Sequence, residues 1–273
     1  MKASISLKNL SIGYRSKHQL RTVASAICAS LTSSNLTCLI GPNGVGKSTL
    51  LRTLAGFQPP LDGEILLSSS STSAQSGSPI KKLSDFTPTE LAREISVVLT
   101  SKLDVTQLTV KEVVGIGRSP YTGFWGTLSA EDNGIVFEAL QKVGIPQLAT
   151  RNIQQLSDGE RQKVMIAKAL AQHTSIIILD EPTAFLDFPS KVETLQMLHR
   201  LAHEEHKTIL LSTHDVELAL QLSDQLWLME PQHLSIGTPQ ELAANGSLSR
   251  FIERKGIRFD KERLNIEIDS NPI

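Results

Sequence analysis

Short apolar runs alternate with segments of helical spacing along most of the chain. Period-two alternation and short apolar runs predict strands over 5–14, 22–31, 37–40, 63–67, 95–99, 176–179, 208–212 and 225–229. The stretches between them predict helices at about 50–55, 87–94, 109–117, 129–144, 159–171, 190–205 and 216–222. Strands that alternate with helices indicate an α/β fold, in which a mostly parallel sheet is flanked by helices on both faces.

Helix-start signals and local composition divide the chain further. Thr87 and Thr109 each have a glutamate three residues later, the spacing of a capping box, and Ser129 and Thr238 open two more helices. Strand signal is sparse between 102 and 155, which indicates a helical insertion in the sheet. We therefore predict the following division: a main domain over 1–240, with a helical subdomain at about 102–157 and a flexible serine-rich insertion at about 68–84, and a C-terminal extension over 241–273 whose segment 257–268 is irregular or an edge strand.

Composition excludes several classes of protein. The net charge is −1 with interspersed charges, so no basic face suggests nucleic acid as a partner. No apolar run approaches the roughly 18 residues that would cross a bilayer, and the N-terminus lacks the apolar core of a signal peptide. Cys28 and Cys38 lie in apolar, strand-like surroundings, which predicts two buried free thiols in a reducing compartment. We expect a soluble, cytosolic protein.

A glycine-rich loop follows the strand at 37–40. It reads Gly41, Pro42, Asn43, Gly44, Val45, Gly46, Lys47, Ser48 and Thr49, which is the G-x-x-x-x-G-K-[ST] pattern between a strand and a helix. Its glycines let backbone N–H groups wrap around phosphate, and the helix N-terminus adds its dipole. Lys47 then contacts the β- and γ-phosphates, and Ser48 provides a hydroxyl ligand for Mg²⁺.

Two predicted strands end in residues that can act on a bound phosphate. Asp180 and Glu181 follow the buried run 176–179, at the sheet edge where open α/β sheets bind ligands. Asp180 is placed to hold Mg²⁺, and Glu181 to polarise the attacking water. His214, after the next strand, would lie at the same edge and sense the γ-phosphate. The alternative is an acidic strand end that merely opens a loop, beside a structural histidine.

The segment 156–162 can serve as a second anion site. Ser157 and Glu160 have capping-box spacing, while Ser157, Gly159 and the following helix N-terminus together form an anion-binding arrangement. These interpretations are compatible. Because one nucleotide does not need two such sites, we expect the second to serve the nucleotide of another copy of the chain.

These motifs, in this order, resemble the ATPase subunit of an ABC transporter over about residues 3–240. The resemblance implies a P-loop NTPase core with an N-terminal antiparallel β subdomain and an inserted helical subdomain. It also implies that two subunits sandwich two ATP molecules with Mg²⁺. Under it, Tyr14 stacks on adenine, Ser157 and Gly159 contact the γ-phosphate across the dimer, and Asp187 belongs to the loop that couples the two sites.

One position departs from the family pattern. Members usually carry glutamine at the strand end before the helical insertion, where it contacts Mg²⁺ and the attacking water. That position here is Thr100, whose hydroxyl has a shorter reach. We expect weak basal ATPase activity but not an inactive enzyme, because Glu181 and His214 are present; Thr100→Gln would test this.

The segment 117–125 narrows the branch of the family. It contains three aromatic residues in a chain with only 4% aromatics, which favours a docking surface over a wedge inside the helical subdomain. Its Gly-Arg-Ser-Pro-Tyr stretch is similar to ATPases of importers for ferric siderophores, haem and cobalamin. The resemblance implies peripheral attachment to a separate permease at the cytoplasmic face of the inner membrane, served indirectly by a substrate-binding protein. Alternatives are a zinc or manganese importer ATPase, a soluble ABC ATPase acting on DNA or the ribosome, and a regulator without turnover.

Overall fold

The computed structural model describes residues 3–16, 19–68, 80–99, 107–123 and 126–269. Its strands within those ranges are β1 (Ala3–Arg15), β2 (Leu20–Thr32), β3 (Leu36–Ile40), β4 (Asp62–Ser68), β5 (Ile80–Lys82), β6 (Ile95–Val98), β7 (Ile176–Asp180), β8 (Thr208–Ser212), β9 (Gln225–Glu230), β10 (His233–Gly237), β11 (Ile257–Asp260) and β12 (Asn265–Ile268). The order β10-β9-β3-β8-β7-β6 makes a six-stranded sheet, parallel except for β10, and β2-β1-β4-β5 makes a second, antiparallel sheet.

Helices cover the larger sheet and form the predicted helical insertion between β6 and β7. They are α1 (Lys47–Leu54), α2 (Pro88–Glu94), α3 (Val110–Gly115), α4 (Ala130–Lys142), α5 (Asp158–Ala171), α6 (Phe188–His203), α7 (Val216–Leu222), α8 (Pro239–Ala244) and α9 (Ser247–Ile252). Complete capping boxes begin α2, α3, α4, α5 and α8, because in each the hydroxyl and the carboxylate bond reciprocally to the backbone. The predicted α/β fold with an antiparallel β subdomain is confirmed.

Two hydrophobic cores lie on opposite faces of the six-stranded sheet. In β7, Ile177 and Leu179 pack into the core with the helical insertion, whereas Ile176 and Ile178 pack against α1 and the antiparallel sheet. Alternate strand residues point to opposite faces, so a continuous apolar run is what a strand covered on both sides requires. This burial fixes the level at which β7 and β8 end, and therefore the positions of Asp180, the last residue of β7, and of Glu181, which follows it.

The structure corrects several details of the prediction. Cys38 is buried, but Cys28 is exposed, so the prediction of two buried thiols is wrong for Cys28. Residues 80–82, assigned to the serine-rich insertion, pair with β4 as β5, while 69–79 lie outside the described residues. The segment 257–268 forms the antiparallel hairpin β11–β12. In the part of the chain that the structure describes, none of the helices is long and apolar enough to cross a bilayer.

Candidate nucleotide site

The glycine-rich loop connects β3 to α1, as its pattern predicts. Every residue of β3 is buried, which anchors the loop at the edge of the parallel strands. Gly41 cannot be replaced by a larger residue without strain, since a Cβ there would lie 2.2 Å from the Met229 carbonyl oxygen. Gly46, at φ 118°, is restricted in the same way by Val23, whose Cγ1 would be 2.3 Å from a Cβ. The loop backbone therefore packs directly against β9 and β2.

Lys47 lies inside this loop and is almost fully buried. Its ammonium donates hydrogen bonds to the carbonyls of Gly41 (2.8 Å) and Pro42 (3.1 Å). Burial lowers the pKa of Lys47 from its ordinary value, and the nearby carboxylates of Glu181 and Asp180 oppose that shift. The charge is thus held within the loop, beside the two acidic residues that the sequence assigns to the same site.

Asp180 and Ser48 form the oxygen cluster that the sequence predicts for Mg²⁺. The Ser48 hydroxyl donates to Asp180 Oδ1 at 3.1 Å, and Ser212 donates to the same oxygen at 2.7 Å. Carboxylate and hydroxyl oxygens are the hard ligands that Mg²⁺ prefers, so these residues fit the ion. The 6%-exposed Asp180 is also sheltered from bulk water, which strengthens its interaction with a cation.

Glu181 and His214 meet at the ends of neighbouring strands. His214 Nε2 lies 2.6 Å from Glu181 Oε1, and both side chains are partly exposed. Glu181 has a φ of 50°, an unusual value for a non-glycine residue. Strain of this kind concentrates at functional sites.

Two further residues support this pair, and the sequence analysis did not single them out. The Ser212 hydroxyl accepts a hydrogen bond from the Glu181 N–H at 2.9 Å while it donates to Asp180. Asp215 accepts from Thr183 at 2.8 Å and pairs with Lys191 at 2.7 Å, which ties the loop carrying His214 to the start of α6. A serine directly after the apolar run 209–211 was the available signal for Ser212.

A cavity of about 290 Å³ opens beside the loop. Tyr14 and Arg21 form one wall from the antiparallel sheet, and the Tyr14 hydroxyl bonds to Thr49 Oγ1 at 3.0 Å. The Tyr14 side chain is 47% exposed, so its ring is accessible at the mouth. The remaining lining residues are Val23, Asn43, Gly44, Gly46, Lys47, Ser48, Thr49 and Glu181. Val45 instead packs against the smaller core.

Ser157, Gly159 and Asp187 lie away from this cavity. Ser157 caps α5 through Glu160, and a Cβ on Gly159 would be 3.6 Å from Ser190 Oγ near the start of α6. Asp187 Oδ1 accepts a hydrogen bond from the Ser190 N–H at 3.1 Å, and hydrogen bonds from the Ser190 side chain and then its backbone N–H lower the pKa of Asp187. One chain therefore does not bring the second anion site to its own phosphate loop. Thr100 lies outside the described residues.

An apolar groove of about 810 Å³ lies on another side of the molecule. Phe57, Pro59 and Pro60 form one wall, and Ile116 and Pro120 belong to the opposite wall, on the segment that carries the Gly-Arg-Ser-Pro-Tyr stretch. Phe57 is 60% exposed.

The groove's second wall is held in place by arginines. Arg118 is buried, pairs with Asp132 at 2.8 Å and lies 4.1 Å from the Tyr121 ring centroid. Arg93 bonds to the Pro120 carbonyl. Tyr121 is 38% exposed with Arg93 and Arg118 near its ring, and Phe124 and Trp125 lie outside the described residues.

Comparisons with known proteins agree with this geometry. The family model described as ABC transporter matches residues 25–184. An uncharacterised ABC transporter ATP-binding protein of Methanocaldococcus jannaschii is 36% identical over 97% of this chain and 87% of its own length. The iron(3+)-hydroxamate import ATP-binding protein of Bacillus subtilis is 37% identical over 81% of this chain and 76% of its own length. A dimeric bacterial ABC transporter cassette is 25% identical, with a TM-score of 0.71 over 86% of this chain and 98% of that one.

The resemblance drawn from the motifs is thus confirmed by a family match over more than half of the chain and by relatives that span nearly all of it. The chain belongs to the ABC transporter ATP-binding family and is an ABC-type ATPase.

Proposed function

We propose that this ATPase powers the import of an iron complex, a ferric siderophore or haem, or of cobalamin, through a separate membrane permease. The observation that carries the proposal is the apolar groove, because its wall at 116–120 includes part of the stretch that resembles such importers. The likeness to the hydroxamate importer ATPase supports the choice of an iron complex. The subunit would then sit at the cytoplasmic face of the inner membrane, without spanning it.

In this proposal each residue of the cavity has a defined task. The loop N–H groups and Lys47 bind the β- and γ-phosphates of ATP, and Tyr14 stacks on the adenine. Ser48 and Asp180 hold Mg²⁺, which would neutralise charge on the phosphates when bound. Glu181 acts as the general base toward the attacking water, and His214 orients its carboxylate. Thr100 would contribute little to holding Mg²⁺, because its hydroxyl has a shorter reach than the glutamine that family members usually carry there.

Complete catalysis requires a second copy of the chain. Ser157 and Gly159 lie on an exposed helix start that lines no part of the chain's own cavity. A partner molecule would present that helix N-terminus to the γ-phosphate, where its N–H groups favour an anion. Asp187, close to Ser190 and Gly159, would couple the two sites. Closure of the dimer would convert ATP binding into movement that the permease senses.

The groove offers the permease a place to dock. Phe57 and Ile116 are exposed large apolar side chains on opposite walls, which in a protein of this class marks an interaction surface rather than a core defect. The groove suits an amphipathic helix of the permease, which would bind with its apolar face against these side chains. The permease would in turn receive its cargo from a substrate-binding protein.

The experiment that tests this proposal combines Phe57→Ala and Ile116→Ala in the chain produced together with a candidate permease of this importer class. We expect loss of co-purification and of transport, with ATP binding by the isolated subunit unchanged. Phe137→Ala is the matched control, since Phe137 is 50% exposed on α4 and does not line the groove. Intact co-purification and transport in the double variant would refute docking in the groove.

Substrate choice is tested separately, by uptake assays with a ferric hydroxamate, haem, cobalamin, Zn²⁺ and Mn²⁺. Accumulation of an iron complex or cobalamin that requires Glu181 supports the proposal. Accumulation of Zn²⁺ or Mn²⁺ instead would favour the alternative importer, for which the same nucleotide site would serve equally well.

A further inference from the structure

Two histidines and one aspartate meet on the surface at the end of α6. His199 and His203 are four residues apart on this helix, so their side chains share one face. Their ring centroids lie 4.3 Å apart with the planes tilted by 38°. Asp224, between α7 and β9, lies opposite, and ligand atoms of all three residues lie within 4.8 Å of one another. None of them lines the nucleotide cavity or the apolar groove.

We propose that His199, His203 and Asp224 form a binding site for a divalent transition metal of the zinc class. Two imidazole nitrogens and one carboxylate oxygen are a donor set that suits such ions, and water completes a tetrahedral shell. Histidines at i and i+4 on one helix face are a spacing that binds zinc. Mg²⁺ is excluded as the intended ion, because it prefers an all-oxygen shell.

The distances already approach those of a bound site. Zinc bonds of about 2.0–2.1 Å place tetrahedral ligand atoms about 3.3 Å apart. His203 Nε2 lies 3.0 and 3.1 Å from the two Asp224 oxygens, so this pair needs almost no movement. A ligand atom of the half-buried His199 lies within 4.8 Å of those of His203 and Asp224, so a bound ion would draw the three ligands together over a short distance.

A backbone contact orients the carboxylate. The N–H of Leu36 donates to Asp224 Oδ2 at 2.7 Å, at the first residue of β3. Partners of this kind fix the direction of a ligand and raise metal affinity. A bound ion would therefore join the end of α6 to the start of the strand that leads into the phosphate loop. It stabilises the folded chain, because the three ligands meet only in the native state.

Without metal, His203 and Asp224 form a hydrogen-bonded pair near the C-terminus of α6, where a protonated histidine is also favourable. The two arrangements are distinguished by titrating the nucleotide-free, tag-free chain with Zn²⁺ and Mg²⁺, in calorimetry and in thermal unfolding. The chain carries Cys28→Ser throughout, because an exposed thiol also binds zinc. We expect one Zn²⁺ per chain and a rise in Tm on the order of 5 °C at about a hundredfold excess over Kd.

His203→Gln and Asp224→Asn should each weaken Zn²⁺ binding by about 100-fold or more and remove the Tm rise. His233→Gln is the control, since this exposed histidine lies on β10 and is not part of the cluster. Because Asp224→Asn also loosens the Leu36 contact, His199→Gln serves as the variant that leaves that contact intact. Equal Zn²⁺ affinity in the parent and His199→Gln chains, or no Zn²⁺-specific effect in the parent, would overturn the proposal. Neither readout depends on ATP turnover or on transport.

Discussion

His214 Nε2 and Glu181 Oε1 lie 2.6 Å apart, although the two residues are 33 positions apart in sequence. The contact exists because β7 and β8 are parallel neighbours that end at the same level, with Asp180 paired to Ser212. Each residue follows the last position of its strand closely, so the sheet itself brings the Glu181 and His214 side chains together.

Glu181→Gln is expected to lower ATP turnover by about 10²–10⁴-fold, because glutamine keeps the shape of the side chain but cannot accept the proton from water. ATP binding should persist, since Lys47 and the loop are unchanged. A coupled-enzyme ATPase assay and nucleotide binding by fluorescence measure the two effects. Glu193→Gln removes an exposed carboxylate paired with Lys163 and should leave turnover unaffected. Turnover above one tenth of the parent value in Glu181→Gln would argue for another base.

The sequence predicted the parts of this site that depend on local pattern. The loop around Lys47 is recognisable within one short segment of sequence, and so are Asp180 and Glu181 at the end of β7. Ser212 was not singled out, because its contacts with Asp180 and Glu181 follow from which strands are neighbours and in what register. Register is set by the cores on both faces of the sheet, which no short window of sequence contains.

Ser212→Ala should lower both stability and metal-dependent activity. It removes one of the two hydroxyl donors to Asp180, which still accepts from Ser48, and it removes the acceptor of the Glu181 N–H; leaving that partly buried N–H without its acceptor costs about 1–3 kcal/mol. Denaturant unfolding and the Mg²⁺ dependence of ATPase activity measure the two consequences. Ser249→Ala is the control, because Ser249 is also buried but its hydroxyl has no partner among the described residues. Equal stability of the two variants would contradict the role given to Ser212.

Two glycines with opposite surroundings give a paired prediction. Gly41→Ala should destabilise the chain and abolish nucleotide binding, since the new Cβ would lie 2.2 Å from the Met229 carbonyl oxygen. Gly134→Ala should stabilise it by about 0.5–1 kcal/mol, because Gly134 is an exposed position inside α4 with nothing within 4 Å of a Cβ. Thermal unfolding compares them. A Gly41→Ala chain as stable as the parent would show that β9 can move away from the loop.

Apart from β5, the elements missed from sequence are short ones near the end of the chain. α9 and β10 are brief and lack the sustained period that reveals a helix or strand, and β10 forms only as the antiparallel neighbour of β9. The hairpin β11–β12 is likewise stabilised by contact: Phe259 is buried in the larger core, whereas most of β12 is exposed. Contacts with distant elements, rather than local preference, determine these structures.

A buried ion pair makes stability depend on pH in the acid range. Asp132 accepts from Arg118 at 2.8 Å and from Ser129, and Arg118 also donates to the Ala171 carbonyl at 3.0 Å. The Ser129 hydroxyl, then Arg118, then the Ser129 N–H lower the pKa of Asp132 to about 2. Because the pKa is lower in the folded chain, its contribution is complete above the unfolded value of about 4 and is lost as pH falls toward 2.

Asp132→Asn should therefore be less stable than the parent at neutral pH, where it leaves the Arg118 guanidinium without its carboxylate. The difference in unfolding free energy between the two proteins should narrow as pH falls from about 4 to 2, because the parent loses a contribution that the variant lacks. Urea unfolding followed by circular dichroism at several pH values measures it. Asp158→Asn is the matched control: Asp158 also lies in the first helical turn beside an arginine, at 3.0 Å, but the pair is exposed. Exposed pairs contribute little, so its difference from the parent should stay small at every pH. A constant gap between Asp132→Asn and the parent down to pH 2 would show that the carboxylate is not held ionised by these partners.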